Sequence, residues 1–185
     1  MTPIKNFVWL DVETNGTSAN DNFLLEVACL ITDTDLNIVD EVGYQAPVYY
    51  PKEFVDKMYK ETNEYVQNMH TTTGLWDRLS EEGKALSIVN DELLAYIQQY
   101  NPEPKSAWIG GNSTYLDHSF MDRYLPKVAA HLHYRELNVT SWGGPIQLWL
   151  GKDYEKKSTH RAMDDIRESI EQMQYYKTLI KPWWI

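Results

Sequence analysis

Residues 7–13 read FVWLDVE, and they combine the pattern of a buried strand with two carboxylates. Phe, Val and Trp favour strands, and the run ends at Thr14-Asn15-Gly16, which is a turn signal. Alternate residues of a strand point to the same face, so Asp11 and Glu13 are predicted to project together. Two ionised groups on an apolar strand repel each other and lose hydration, and a cation between them relieves both effects. Taken alone, the stretch fits a metal site and a solvated strand edge equally well.

The composition indicates a folded chain of ordinary size. The 185 residues are enough for one well-buried domain, which we expect to span 1–185. Hydrophobic residues at 43% and charged residues at 24% are ordinary for a globular protein and do not indicate disorder. Cys29 is the only cysteine, so a disulfide framework is excluded and a reducing compartment is expected. The chain lacks a signal-peptide pattern and any apolar run of about 18 residues, which predicts a cytoplasmic protein without a membrane partner.

The charge and the aromatic content bear on nucleic-acid binding. A net charge of −10 argues against a protein that holds long nucleic acid, because such binding needs a basic surface. It is compatible with an enzyme that holds only a short phosphate-containing end, where metal ions and a few donors supply positive charge. The 7 Trp and 13 Tyr include candidates for stacking on bases, although core packing explains such residues as well.

The order of predicted elements indicates an α/β fold. The first three strands, over 7–13, 24–32 and 36–46, are followed by helices, and two further strands alternate with helices. This order predicts a mixed five-stranded sheet flanked by helices. The apolar tail 181–185 is expected to pack on the domain or on a partner. The other predictions are short helices within 53–69, a loop at 70–75, helices over 80–100, from 115, from 141 and over 161–180, strands at 107–109 and 135–139, and a polar loop at 151–158.

Two further acidic sites could complete a metal centre with the first strand. Asp117 begins a helix just after a Gly-Gly-Asn-Ser turn, where the helix dipole alone also explains an acid. On the last helix, Asp164 and Asp165 flank the apolar stripe on opposite sides, and local geometry does not decide between them. His160 and Asp165 would lie about 140° apart on one helix. They can share a site only if His160 belongs to the preceding loop.

The order of these residues resembles a known family. Asp11-x-Glu13, Asp117 and His160-x-Ala162-x-x-Asp165 are similar to the three motifs of the DEDDh 3′–5′ exonucleases, whose domain is RNase H-like. Within that group the chain resembles the oligoribonucleases over nearly its whole length. The similar segments are GNS at 111–113, HYR at 133–135, HRAMDDIRES at 160–169 and HTTTGL at 70–75.

The resemblance implies a two-metal hydrolase. Asp11, Glu13, Asp117 and Asp165 would hold two Mg²⁺ or Mn²⁺ ions, which suit an all-oxygen ligand set. The resemblance favours Asp165 over Asp164 as the ligand, and His160 would act as the base for the attacking water. The implied activity is removal of nucleoside 5′-monophosphates from the 3′ end of short single-stranded RNA.

The resemblance also implies substrate and partner contacts. Ser113, Arg135 and Thr140 align with residues that cap the 5′ phosphate of a short RNA. Tyr134 aligns with a tyrosine that reaches the active site of the neighbouring subunit, which implies a homodimer. Two further positions are assigned to substrate binding, namely Tyr65 near the bases and His70 within the 70–75 motif.

Two departures from the family leave alternatives open. Thr17 stands where the family carries a leucine that wedges between two bases, and Asn138 stands where it usually has Asp. A strict dinucleotide preference and the choice between RNA and DNA are therefore open. A DNA-directed exonuclease of the proofreading or repair type is one alternative, and a non-catalytic nucleic-acid-binding protein is another.

Overall fold

The computed structural model describes residues 4–156 and 160–180. Within these ranges the strands form one mixed sheet in the order β3-β2-β1-β4-β5, which confirms the predicted architecture. The strands are β1 (Asn6–Thr14), β2 (Leu24–Asp33), β3 (Tyr44–Pro47), β4 (Trp108–Gly111) and β5 (Glu136–Asn138). The helices are α1 (Lys52–Glu61), α2 (Glu64–Thr72), α3 (Leu75–Glu81), α4 (Leu86–Tyr100), α5 (Tyr115–Tyr124), α6 (Pro126–His131), α7 (Thr140–Leu150) and α8 (Ala162–Ile180).

Strand β1 lies at the centre of the sheet. It pairs antiparallel with β2 from Asn6 opposite Asp33 to Thr14 opposite Leu24, and the register shifts between Glu13 and Thr14. On its other side β1 pairs parallel with β4, which in turn pairs parallel with β5. The carboxyl ends of β1, β4 and β5 therefore lie along one edge, where side chains of several elements converge.

The two faces of the sheet hold separate cores. Val8, Leu10 and Val12 of β1 pack with residues of α4, α5 and α6. Trp9 points the other way and packs with α8, and its indole nitrogen donates a hydrogen bond of 2.8 Å to Thr32 Oγ1. Asp11 and Glu13 follow Trp9 at every second position of β1, so their side chains lie on the same face of the sheet, the face that α8 covers. Apart from Glu26, the apolar run of β2 fits burial on both faces of the sheet.

Helices α1 to α3 form a third packed unit beside the end of β2. Its core contains Leu25 together with Val55, Met58, Leu75, Trp76 and Leu79. The predicted loop at 70–75 is wrong, because residues 70–72 form the last turn of α2 and only Thr73 and Gly74 separate it from α3. Gly74 has a φ of 72°, a left-handed conformation that suits glycine and allows the sharp turn between the helices.

The third strand is shorter than the predicted 36–46. The carboxylate of Asp33 accepts hydrogen bonds from the backbone amides of Asp35 and Asn37, and Leu36 adopts a φ of 72°. Farther on, Asp40 accepts from the amide of Val42. These side chains take up amide groups that a strand would direct to its neighbour, so regular pairing begins only at Tyr44.

Helix α4 begins at Leu86 rather than at the predicted Ser80. Residues 80 and 81 complete α3, and the chain then leaves the helix to pair with the segment after β3. Lys84 donates its amide to Pro47 and accepts a hydrogen bond from the amide of Tyr49. Tertiary pairing therefore overrides the local helix-start signal. The short helix α6 was not predicted as separate from α5.

Along the described part of the chain, every helix is too short or too polar to span a bilayer. The predicted packing of tail 181–185 lies outside the described residues.

Candidate active site

Three of the predicted ligands meet at the edge of the sheet. Asp11, Glu13 and Asp165 each offer a carboxylate oxygen, and these oxygens all lie within 4.8 Å of one another. The first two come from adjacent same-face positions of β1, and the third comes from the first turn of α8. Asp165 approaches closely because its neighbours on the helix are small: Ala162 is fully buried, and the Ser169 hydroxyl donates back to the Asp165 carbonyl.

Asp117 lies beside this group on the first turn of α5. Its Oδ1 accepts a hydrogen bond of 3.0 Å from the amide of Val12, between the two acids of β1. The residue is 5% exposed, and its carboxylate acts electrostatically on both Asp11 and Glu13. Asp117 is not one of the three carboxylates whose oxygens lie within 4.8 Å of one another. Its hydrogen bond with the Val12 amide instead orients one carboxylate oxygen toward β1. All four predicted carboxylates nevertheless converge on one edge of the sheet.

Burial and mutual repulsion disfavour the ionised carboxylates. Burial, together with the neighbouring Asp117, Glu13 and Asp165, holds the pKa of Asp11 well above its usual range. Burial and the charges of Asp165, Glu26 and Asp117 raise the pKa of Glu13 to about 8. The pKa of Asp117 rises to about 7, mainly through burial, against the opposing hydrogen bond from Val12. Such a cluster gains from a bound cation, which compensates for both lost hydration and repulsion.

His160 lies in the loop before α8, which is the position it needs in order to share a site with Asp165. It has a φ of 56°, so the backbone turns sharply immediately before the helix. The side chain lines a cavity of about 380 Å³ that Glu13 also lines. Its ring meets Tyr65 edge to face, with centroids 6.5 Å apart. Tyr65 is 68% exposed on α2, so it offers an aromatic surface next to the histidine.

The structure places His70, which the resemblance assigned to substrate binding, in a buried position. Its side chain is fully buried, so it lies behind the site rather than on the accessible surface. Nε2 makes a hydrogen bond of 2.9 Å with the carbonyl of Thr14, and Nδ1 lies 3.9 Å from a carboxylate oxygen of Glu13. Burial lowers the pKa of His70, so the neutral ring is favoured. His70 therefore fixes the end of β1 that carries Glu13.

A buried ion pair next to Glu13 was missed by the sequence analysis. Glu26 stands opposite Glu13 in the β1–β2 register and is 2% exposed. Its carboxylate pairs with the guanidinium of Arg78 at 2.8 Å and accepts a hydrogen bond of 3.0 Å from Gln45. All three line the cavity of Glu13 and His160. The sequence feature that could have indicated this ion pair is Glu26, the single acidic residue inside the apolar run LLEVACLIT.

The predicted phosphate-binding residues Ser113 and Thr140 lie together. The Ser113 amide donates to Thr140 Oγ1 at 3.1 Å, and Thr140 Oγ1 donates to Asn112 Oδ1 at 3.0 Å. The amide nitrogen of Asn112 donates to Ser169 and Gln172 of α8. This network ties the end of β4 and the first residue of α7 to the helix that carries Asp165. Both hydroxyl residues are exposed, so they can contact a ligand.

Arg135 and Tyr134 lie at the other end of the sheet. They precede β5, and the amide of neighbouring His133 donates to the carbonyl of Ala107, which precedes β4. The guanidinium of Arg135 lies over the rings of Trp108 and Tyr134, each 5.7 Å away. Tyr134 is 79% exposed, and the strands run from it toward the carboxylate edge. Within one chain, Tyr134 therefore stands apart from the carboxylates.

The two departures from the family pattern occupy defined places. Asn15 anchors the turn after β1, since its Oδ1 accepts a hydrogen bond of 2.6 Å from the amide of Phe23. Thr17 follows at the exposed tip of this turn. The Oδ1 of Asn138 is buried and accepts no hydrogen bond from any residue in the described ranges. Neither departure alters the carboxylates.

The fold and its acidic edge define an RNase H-like exonuclease, and comparison with known proteins agrees. A family model described as Exonuclease (RNase_T) matches residues 8–173. The chain is 36% identical over 178 residues to an oligoribonuclease of Francisella tularensis, covering 96% of this chain and 97% of that protein. It is 34% identical over 180 residues to the mitochondrial oligoribonuclease of Bos taurus, covering 95% of this chain and 73% of that protein.

The solved structures support the fold. Escherichia coli exonuclease I in complex with a dT13 oligonucleotide superposes with a TM-score of 0.72 at 15% identity, covering 97% of this chain. The chain spans only 42% of that protein. The chain therefore belongs to the exonuclease family and, within its DEDDh group, to the oligoribonucleases. Its family membership makes it a 3′–5′ exonuclease, a hydrolase of phosphodiester bonds.

Proposed function

We propose that this protein degrades short single-stranded RNA from the 3′ end and releases nucleoside 5′-monophosphates. The observation that carries the proposal is the cluster formed by the carboxylates of Asp11, Glu13 and Asp165. The chain that holds this cluster matches oligoribonucleases over nearly its full length. The net charge of −10 supports a short substrate, because a long strand would be repelled by most of the surface.

The donor set fits two divalent ions of the Mg²⁺ or Mn²⁺ type. Asp11, Glu13, Asp165 and the adjacent Asp117 offer only oxygen ligands, which hard cations prefer. The raised pKa values of Asp11 and Glu13 show that the residues tolerate ionisation poorly without a compensating charge. When bound, such ions supply Lewis acidity at the phosphate and at the attacking and leaving oxygens.

The side chains of the cavity perform the remaining steps. His160, on its sharply turned loop, takes the proton of the attacking water at a ring nitrogen. Tyr65 supplies an aromatic surface beside it for the terminal base. Asp164, the residue just before Asp165 on α8, is exposed and is proposed to have no part in metal binding. These roles place the scissile phosphate between His160 and the carboxylate group.

Ser113 and Thr140 are proposed to hold the 5′ phosphate, together with Arg135 once its side chain turns from Trp108 toward the start of α7. The two hydroxyl residues meet at the first turn of α7, where the helix dipole and the amide groups of a helix N-terminus favour an anion. A fixed distance between this cap and the carboxylates would limit substrate length. The Asn112 network, which joins the cap to α8, supports a rigid separation.

Tyr134 is proposed to act in the site of a second copy of the chain. It is highly exposed and stacked on His133, with ring centroids 4.4 Å apart, so its ring is held in a projecting position. Since it lies away from the carboxylates of its own chain, it can contribute to hydrolysis only across an interface. The proposed active form is therefore a homodimer in the cytoplasm, with each chain acting as a single exonuclease domain.

Product analysis tests the direction and chemistry of cleavage. A seven-nucleotide RNA labelled with ³²P at its 5′ end is incubated with Mn²⁺, and the products are resolved on a sequencing gel. The proposal predicts a descending ladder of shorter 5′-labelled RNAs, release of nucleoside 5′-monophosphates and complete inhibition by EDTA. Immediate release of the labelled 5′ nucleotide, or a single internal cut, would contradict it.

A further inference from the structure

Arg78 of α3 reaches into the cavity that holds Glu13 and His160. Its side chain is 32% exposed and makes two ion pairs. Nη1 lies 2.8 Å from Glu26 Oε1, and Nε donates a hydrogen bond of 3.0 Å to Glu82 Oε2. A permanently charged guanidinium is therefore held in the same cavity as a proposed metal ligand.

The position of Glu26 brings this guanidinium close to Glu13. The two acids are direct cross-strand neighbours in the antiparallel ladder of β1 and β2. Side chains of such a pair project from the same face of the sheet, with their Cβ atoms about 4.5–5.5 Å apart. A change of side-chain rotamer would therefore bring Arg78 from Glu26 to Glu13. A salt bridge formed there would occupy the carboxylate oxygens that a metal ion needs.

The contacts of Glu26 fix both of its carboxylate oxygens. Oε1 faces Arg78, and Oε2 accepts a hydrogen bond of 3.0 Å from Gln45 Nε2. Glu26 is 2% exposed, so solvent screens its attraction for the arginine only weakly. In the described part of the chain, Arg78 pairs with Glu26 and Glu82 and not with Glu13. Glu26 is also not part of the three-carboxylate cluster, so it acts on the arginine and not as a further metal ligand.

We propose that Glu26 is a positioning residue that holds Arg78 away from Glu13 and so keeps Glu13 free to bind a metal ion. The inference rests on the proposed function, because that function places a metal ion on Glu13. Glu82 is the weaker partner of the arginine, since its side chain is 61% exposed and water screens the pair. Loss of Glu26 therefore releases the guanidinium toward Glu13, where it competes with the metal ion.

Binding of Mn²⁺ to the RNA-free protein, measured by isothermal titration calorimetry, tests this role. Glu26→Gln keeps the shape of the side chain and removes its charge, and it should weaken Mn²⁺ binding about tenfold, a loss typical of residues that support a metal ligand. Adding Arg78→Gln to Glu26→Gln should return the affinity to within about threefold of the wild-type value, because the competing cation is gone. Glu82→Gln is the matched control. It removes the other carboxylate partner of the same arginine and should leave the affinity unchanged.

Tryptophan fluorescence in EDTA shows whether each variant is folded before the titration. If Glu26→Gln does not fold, Glu26→Asp replaces it, since it keeps the charge, shortens its reach by one methylene and should weaken Mn²⁺ binding in the same direction. Wild-type Mn²⁺ affinity in the position 26 variant, or a loss that Arg78→Gln does not reverse, would overturn the proposal. The titration needs no RNA. A protein that binds Mn²⁺ without cleaving RNA would therefore refute the proposed function, while the position 26 variant still decides the role of Glu26.

Discussion

The metal-free protein should lose stability as the pH rises, and Glu13→Gln should restore it. The pKa of Glu13 rises from 4.5 to about 8 on folding, so the folded state binds this proton more tightly than the unfolded state. The stabilising contribution is complete below pH 4.5 and is lost as the pH approaches about 8. Asp117 shifts in the same direction, from 3.8 to about 7, and adds to the loss over its own interval.

The expected magnitude follows from the Glu13 shift. The raised pKa of Glu13 costs the folded state about 5 kcal/mol at pH 9 as an upper bound, and about 1 kcal/mol at pH 5, where the carboxyl is protonated in the folded state and mostly ionised in the unfolded state. Glu13→Gln keeps the shape of the side chain and removes its charge. Its free energy of unfolding should therefore exceed that of the wild type by up to these amounts in EDTA. The variant should nevertheless have lost most of its activity, because a proposed metal ligand is gone.

Urea unfolding at fixed protein concentration measures this difference. Tryptophan fluorescence is followed in EDTA at intervals from pH 5 to pH 9, for the wild type, Glu13→Gln and the exposed control Asp164→Asn. The control should stay within about 0.5 kcal/mol of the wild type. Adding Mg²⁺ at 100 times its dissociation constant should stabilise the wild type by about 2.7 kcal/mol and the Gln variant by less. A Glu13→Gln gain that is absent at pH 9, or equal at pH 5 and pH 9, would refute the reasoning.

Three further predictions concern single residues. Asp165→Asn should lower kcat/KM at least about 100-fold through loss of a metal ligand, whereas the kcat/KM of Asp164→Asn should stay within about threefold of the wild-type value. Equal losses in a steady-state assay would show that the wrong aspartate was assigned. Mixing inactive Tyr134→Ala with Asp165→Asn should restore up to about a quarter of wild-type activity, since half of all dimers would be mixed and each mixed dimer would carry one intact site. No recovery after subunit exchange would contradict a role across an interface. His70→Phe should cost about 1–3 kcal/mol of stability in urea unfolding, because the Thr14 carbonyl loses its buried partner; an unchanged midpoint would contradict its positioning role.

Side-chain parity and order along the chain predicted the centre of the site. Alternation in β1 placed Asp11 and Glu13 on one face, and the structure brings them to Asp165. Helical spacing alone did not decide between Asp164 and Asp165, because the choice depends on how closely α8 approaches the sheet. The resemblance made that choice, and the buried Ala162 and Ser169 give its physical reason.

Other features depend on contacts between segments that are distant in the sequence, so local sequence patterns could not predict them. The start of α4 is delayed by pairing of Lys84 with the segment after β3. Residues 70–75 were predicted to form a loop, whereas residues 70–72 complete α2 and His70 packs against Trp76. The Glu26–Arg78 pair joins residues 52 positions apart in the sequence, so neither residue alone indicates the other.

The central claim is that this carboxylate site removes nucleotides from the 3′ end of short RNA. The most direct test is a chain-length series of 5′-³²P-labelled RNA and DNA, from two to twenty nucleotides, hydrolysed with Mn²⁺ under single-turnover conditions. RNAs of two to four nucleotides should be cleaved fastest, rates should fall steeply for longer chains, and DNA of each length should be cleaved more slowly than RNA. Equal rates at two and twenty nucleotides, or cleavage of DNA with RNA spared, would contradict it.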